Sequence, residues 1–186
     1  MSSILTRRYA SALLEVGKEH QLLDEFLEQY KVMINQINQE KKFEQLLNSP
    51  QIINVEKKKI ISEVFGKVMN PYLLNFIYIL IDKGRLHLIK EMLLDFQEMV
   101  YEEKNILSTK VISAIPLREK QLSQIKEKLS NKFQKEILLE NKVDSSIMGG
   151  LIIYAGNKIL DGSIKNKIAK LRVDLKETRL QGIGVN

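Results

Sequence analysis

Apolar residues recur every three to four positions through the first hundred residues and then at every second position, so the period changes near residue 105. Ile4, Leu5, Tyr9, Ala12, Leu13 and Val16 predict a first helix, with Gly17 near its end. Leu22, Leu23, Phe26, Leu27, Tyr30, Met33, Ile34 and Ile37 predict a longer second one. A short third helix around Phe43, Leu46 and Leu47 is stopped by Asn48-Ser49-Pro50, because the residue before proline avoids helical geometry. Asn54 is the expected N-cap of a fourth helix carrying Ile60, Ile61, Val64, Phe65 and Val68. The fifth starts at Asn70-Pro71, with proline at the first helical position, where its missing N–H costs nothing, and ends at Gly84 in a left-handed cap. A sixth runs from Arg85 to about Glu103. Short connections between such helices predict an antiparallel bundle.

Beyond Lys104-Asn105, residues Ile106 to Ile115 alternate, with Leu107, Thr109, Val111, Ser113 and Ile115 on one side. Leu117 to Asn131 reads as a helix, Glu136 to Val143 as a strand, and Gly150 to Ala155 as another. Gly156-Asn157 is a two-residue hairpin turn into a short return strand, Lys158 to Leu160. Ser163, after Asp161-Gly162, caps a final helix with Ile164, Ile168, Leu171 and Leu175. The expected fold is mainly α with a smaller α/β part: a six-helix bundle over 1–105 and a small α/β domain over 106–186.

Composition narrows the chemistry. With 44% hydrophobic and 28% charged residues the chain is an ordinary globular one, not a disordered one. It has no cysteine, which removes disulfides, thiolate nucleophiles and cysteine-bound zinc. His20 and His87 are too few for a multi-histidine metal site, so neither metal nor cofactor is expected. The start, Met1-Ser2-Ser3-Ile4, leads straight into an amphipathic pattern without the apolar run of a signal peptide. The longest apolar stretch, Tyr72 to Ile81, contains Asn75 and falls far short of the ~20 residues of a membrane span. The chain is expected to stay on the cytosolic side of its membrane.

No nucleophile stands beside a base, so no enzymatic activity is expected. Gly149-Gly150 lacks the spacing of a phosphate-cradling loop and precedes a strand. Glu102-Glu103 are neighbours on a helix and point apart. The net charge of +6 makes nucleic acid a partner to test. Yet the one compact basic run, Lys57-Lys58-Lys59, is flanked by Glu56 and Glu63, and the chain has no tryptophan to stack on bases. A solvated helix face is the simpler reading.

The apolar pattern says more. Leu73, Phe76, Ile77 and Leu80 form one stripe on the fifth helix, and Leu74, Tyr78 and Ile81 a second. A helix apolar nearly all round needs cover nearly all round. Small residues at Ala10, Ser11 and Ala12 let another helix approach the first closely. Periodicity allows either of two outcomes: both stripes are internal core, or they edge a groove for a partner helix.

Three groups of residues resemble a known family. These are Arg8-Tyr9-Ala10-Ser11-Ala12-Leu13; Asn75-Phe76 with Asp82-Lys83-Gly84-Arg85-Leu86; and Val143 to Leu151 (Val-Asp-Ser-Ser-Ile-Met-Gly-Gly-Leu) with Asp161-Gly162-Ser163-Ile164. In this order and spacing they are similar to the delta subunit of F-type ATP synthase, whose mitochondrial relative is the oligomycin-sensitivity-conferring protein. The basic balance and the tail Gln181 to Asn186 depart from the family pattern.

The resemblance implies a non-catalytic stator protein of the peripheral stalk, one copy per complex. It would join the catalytic head to membrane-anchored subunit b, so that the head resists rotor torque during proton-driven ATP synthesis. It also implies that the N-terminal helix of an α subunit docks on helices one and five. By carry-over the docking residues are Tyr9, Ala12, Leu13 and Val16 with Leu74, Ile77, Tyr78 and Ile81. Where these residues face outward, Ile77→Asp or Ala12→Arg would abolish that binding and leave the bundle folded. The C-terminal domain would engage the C-terminal end of b, with Gly149, Gly150, Asp161, Gly162 and Ser163 in structural roles there and Gly84 in one in the bundle. The implied location is peripheral, on the cytoplasmic face of a bacterial plasma membrane, although an organelle-encoded chain would look the same. The alternatives are a basic nucleic-acid-binding helical module, whose affinity would fall steeply with salt, and a helical adaptor outside the synthase.

Overall fold

A computed structural model describes residues 3–172. Leu175 and the tail Gln181 to Asn186 lie outside the described residues. The chain divides into two compact units, Met1–Glu103 and Lys104–Asn186. The described residues are mainly helical, with one four-stranded sheet. Among them, no helix is long and apolar enough to cross a membrane.

The first unit contains α1 (Ile4–Glu19), α2 (Leu23–Gln39), α3 (Lys41–Asn48), α4 (Asn54–Phe65), α5 (Pro71–Asp82) and α6 (Ile89–Glu103). Ser3 starts α1 through a reciprocal cap, its hydroxyl accepting from the Thr6 amide while the Thr6 hydroxyl accepts from the Ser3 amide. Ala10, Leu13, Tyr30, Ile61, Leu73, Ile77, Leu80 and Phe96 are at the centre of one continuous apolar core. Tyr30 is fully buried, and its hydroxyl donates to the carbonyl of Ile89 at 2.9 Å. Burial holds its phenol well above the ordinary tyrosine range, so it remains a neutral donor.

Two helix starts differ from the expected ones. Asn54 is already the first residue of α4, and its side chain makes no cap. Extended Ile53 occupies the cap position, and its carbonyl accepts from the Lys57 amide. Arg85 does not begin the sixth helix. The amide of Gly84 (φ +63°) donates to the carbonyl of Ile81, and that of Arg85 to Leu80. These two bonds complete the end of α5. A single 3₁₀ turn, Leu86–Leu88, intervenes before α6.

The second unit contains β1 (Ile106–Ser113), α7 (Glu119–Phe133), β2 (Glu136–Val143), β3 (Leu151–Ala155) and β4 (Lys158–Asp161). The strand order is β2-β1-β3-β4, with β1 and β2 parallel across the α7 crossover and the other pairs antiparallel. Thr109, Val111 and Ser113 are buried on one face of β1. Ile115, expected on that face, is exposed because the strand ends at Ser113, whose hydroxyl donates to the Ile115 carbonyl as the chain turns toward Pro116. The β3–β4 hairpin pairs Ala155 with Lys158 across Gly156-Asn157. Residues 164–172 are helical.

Candidate partner-binding surfaces

Burial separates the eight docking residues expected on the first unit. Leu13, Ile77 and Ile81 are buried core side chains, so they do not line a surface. They sit on the stripe of each helix that points at the core, and a phase difference of about one or two residues decides that. Ile77 does not face outward, so Ile77→Asp is expected to disrupt the core instead of testing the docking surface. Tyr9, Val16, Leu74 and Tyr78 are half-buried, and Ala12 is exposed.

The half-buried residues mark helix edges. Leu5, Tyr9, Ala12 and Val16 follow one another along one edge of α1. This edge meets α5. The Tyr9 ring stands edge-on to Phe76 at 6.4 Å between centroids, and His20, beyond the end of α1, stacks on Tyr72 at 4.4 Å. Tyr72, Phe76 and Ile79 share the facing edge of α5, with Tyr72 45% and Ile79 49% exposed. Leu74 and Tyr78 lie on the opposite edge, beside α4. There Lys58 stands over the Tyr78 ring at 5.6 Å and pairs with Asp82 at 2.7 Å.

The apolar surplus of α5 is thus real, but its exposed part beside α1 is Tyr72 and Ile79, which periodicity did not single out. The signal available was the spacing 72-76-79. It was masked by the apolar character of nearly every other face of the helix. Arg85 closes this surface, donating to the Tyr9 hydroxyl with its guanidinium over the Tyr9 ring at 5.4 Å. Gly84 and Asp82 place it there, one by ending α5 and the other by tying the helix end to α4.

In the second unit, Gly149, Gly150, Asp161, Gly162 and Ser163 come together at one node. The Gly162 amide donates to Leu151 O at 2.8 Å, and the Ile164 amide to Gly149 O at 2.9 Å. A Cβ on Gly150 (φ +80°) would lie 2.2 Å from the Gly162 carbonyl oxygen. The Asp161 carboxylate accepts from the Ser163 amide at 2.9 Å, and the buried Ser163 hydroxyl accepts from Asn166 N at 3.1 Å, capping helix 164–172. The amide and hydroxyl of Ser163 hold the Asp161 carboxyl below its ordinary value of 3.8, and Ser146 does the same for Asp144. Both faces of the β3–β4 hairpin stay open. Leu151, Ile153 and Leu160 border a cavity of about 610 Å³ on one face, and Ile112, Ile152 and Tyr154 border one of about 440 Å³ on the other.

Among the described residues no cluster of three or more His, Cys, Asp or Glu could hold a metal ion. Apolar surfaces on two separate units define an interaction scaffold. Its family is shown by comparison with known proteins: the ATP synthase delta (OSCP) subunit family matches residues 5–175, and the chain belongs to it. That family is a non-catalytic structural subunit of the ATP synthase peripheral stalk. The chain is 31% identical over 178 residues to the ATP synthase subunit delta of Clostridioides difficile (strain 630), covering 95% of this chain and 98% of the relative. It is 34% identical over 172 residues to that of Clostridium botulinum (strain Langeland), covering 92% and 96%. Its fold is similar to a chain in the Toxoplasma gondii mitochondrial ATP synthase hexamer, with a TM-score of 0.74, 21% identity, and coverage of 93% and 98%.

Proposed function

We propose that this protein is the stator joint of a bacterial F-type ATP synthase, linking the catalytic head to membrane-anchored subunit b. In this reading the first unit, a six-helix bundle, receives the N-terminal helix of one α subunit along the α1–α5 edge. The second unit holds the C-terminal end of b, and one copy serves each complex at the cytoplasmic face of the plasma membrane.

The observation that carries the proposal is the exposed apolar edge. Tyr72 and Ile79 remain about half exposed on the edge of α5 that faces α1, on the side of Tyr9, Ala12 and Val16. Fully burying a side chain such as Ile79 is worth about 1.5–3 kcal/mol, so a helix covering several of them gains real affinity. A joint loaded by torque must dissociate slowly. Buried apolar contact suits that better than exposed ion pairs, which contribute about 0–1 kcal/mol each.

Pull-down of the tagged chain from the native membrane fraction tests the reading. It should recover α and b, and Ala12→Arg should reduce recovery of α while b is retained. Recovery of nucleic acid without synthase subunits would overturn it.

A further inference from the structure

The charge of the chain is divided unequally. Residues 1–103 carry 13 Lys and Arg against 15 Asp and Glu, a net of −2, whereas residues 104–186 carry 16 against 8, a net of +8. The second unit therefore holds all of the positive excess. Within it, residues 164–172 read Ile-Lys-Asn-Lys-Ile-Ala-Lys-Leu-Arg: four cations and no acid.

This helix packs little against its own unit. Ile164, Ile168 and Leu171 recur at helical spacing and are 45%, 41% and 60% exposed. Helical geometry puts Lys167 on one margin of this stripe and Lys165 with Arg172 on the other. Lys165 also stands at the rim of the 440 Å³ cavity floored by Ile112, Ile152 and Tyr154. A step between a helix and a sheet is a concave seat, which fits a rod better than a flat bilayer. Its aliphatic stripe would bury nothing against a phosphate backbone.

We propose that the part of b that docks on the second unit is an acidic amphipathic helix. It lies along the Ile164-Ile168-Leu171 stripe with its carboxylates opposite Lys165, Lys167 and Arg172, so that charge sets the rate of assembly. This rests on the b reading above. Opposite charge on two surfaces accelerates encounter, and salt removes the acceleration by screening.

The test uses the full chain and the soluble C-terminal half of the cognate b subunit, with association followed by stopped-flow fluorescence at 50 and 500 mM NaCl. The association rate should fall about tenfold or more between the two salts. In Lys165→Glu/Lys167→Glu/Arg172→Glu, the rate at 50 mM should drop to the high-salt value or below, with the melting temperature unchanged. Tight binding whose rate moves less than twofold with salt, and equally so in the triple variant, would overturn the charge proposal and leave b as partner. No binding at either salt would overturn the b reading itself. Salt-sensitive binding to phosphatidylglycerol vesicles or duplex DNA, with none to b, would assign the basic face to another partner and overturn both.

Discussion

Arg85, the third residue past the end of α5, donates to the hydroxyl of Tyr9 on α1 and covers its ring. The two residues are 76 positions apart and belong to two of the three motifs that carry the family resemblance. The contact needs the left-handed turn at Gly84, because a helical residue there would carry Arg85 onward along the α5 axis. It joins the two helices that present the exposed apolar edge, so local backbone geometry and the proposed docking surface are linked through one side chain.

Removing that link should be measurable but modest, since both groups are partly exposed. Tyr9→Phe and Arg85→Leu should each lower stability by about 1 kcal/mol in urea unfolding. The double variant should lose less than the sum of the two, because the second change removes a contact already gone.

The two edges of α5 should respond differently to an α N-terminal peptide. Ile79→Asp, beside α1, should weaken binding by tenfold or more in calorimetry with little change in melting temperature. Leu74→Asp, beside α4, should leave the affinity within about twofold. Ile77→Asp places a carboxylate in the closed core and should unfold the first unit, seen as lost helical circular dichroism.

Tyr30→Phe leaves the Ile89 carbonyl without its 2.9 Å donor inside the core. The expected loss is about 1–3 kcal/mol, read from the denaturant midpoint at constant slope.

In the second unit, Gly150→Ala meets both a left-handed backbone and the Gly162 carbonyl. A loss of at least about 2 kcal/mol is expected, with the first unit unaffected by hydrogen exchange.

Acid should weaken the second unit through its two turn carboxylates. Both Asp144 and Asp161 have folded values below the ordinary 3.8 because they accept hydrogen bonds when charged. Their contribution is complete above about pH 4 and is lost as pH falls through the lowered folded values. Asp161→Ala should make the stability of this unit less dependent on pH in the acid range below the ordinary carboxylate value of 3.8, measured by urea unfolding or by amide exchange.

Much of this architecture is legible along the chain. The change of period near residue 105, the proline at the start of α5, the Gly84 cap and the Gly156-Asn157 hairpin are local features, decided by neighbouring residues. Helix starts shift where a backbone carbonyl finds a partner that pattern alone does not reveal, by one residue at Ile53 and by four between Arg85 and Ile89. The pairing order β2-β1-β3-β4 depends on contacts between segments far apart in sequence.

The sequence by itself determined the two-part organisation, the absence of cysteine chemistry and the family, because these rest on composition, periodicity and motif order. Only the tertiary structure decided which apolar residues remain outside. Leu13, Ile77 and Ile81 went into the core, and Tyr72 and Ile79 stayed at the surface, although all five look alike to a hydropathy pattern. Only Asn75 and Asp82 mark a polar face on α5, so hydropathy points its buried side but not which margins are covered, and these are set by where its neighbours pack. Here the neighbours are α1 on one edge, with Tyr9 against Phe76, and α4 on the other, with Lys58 over Tyr78.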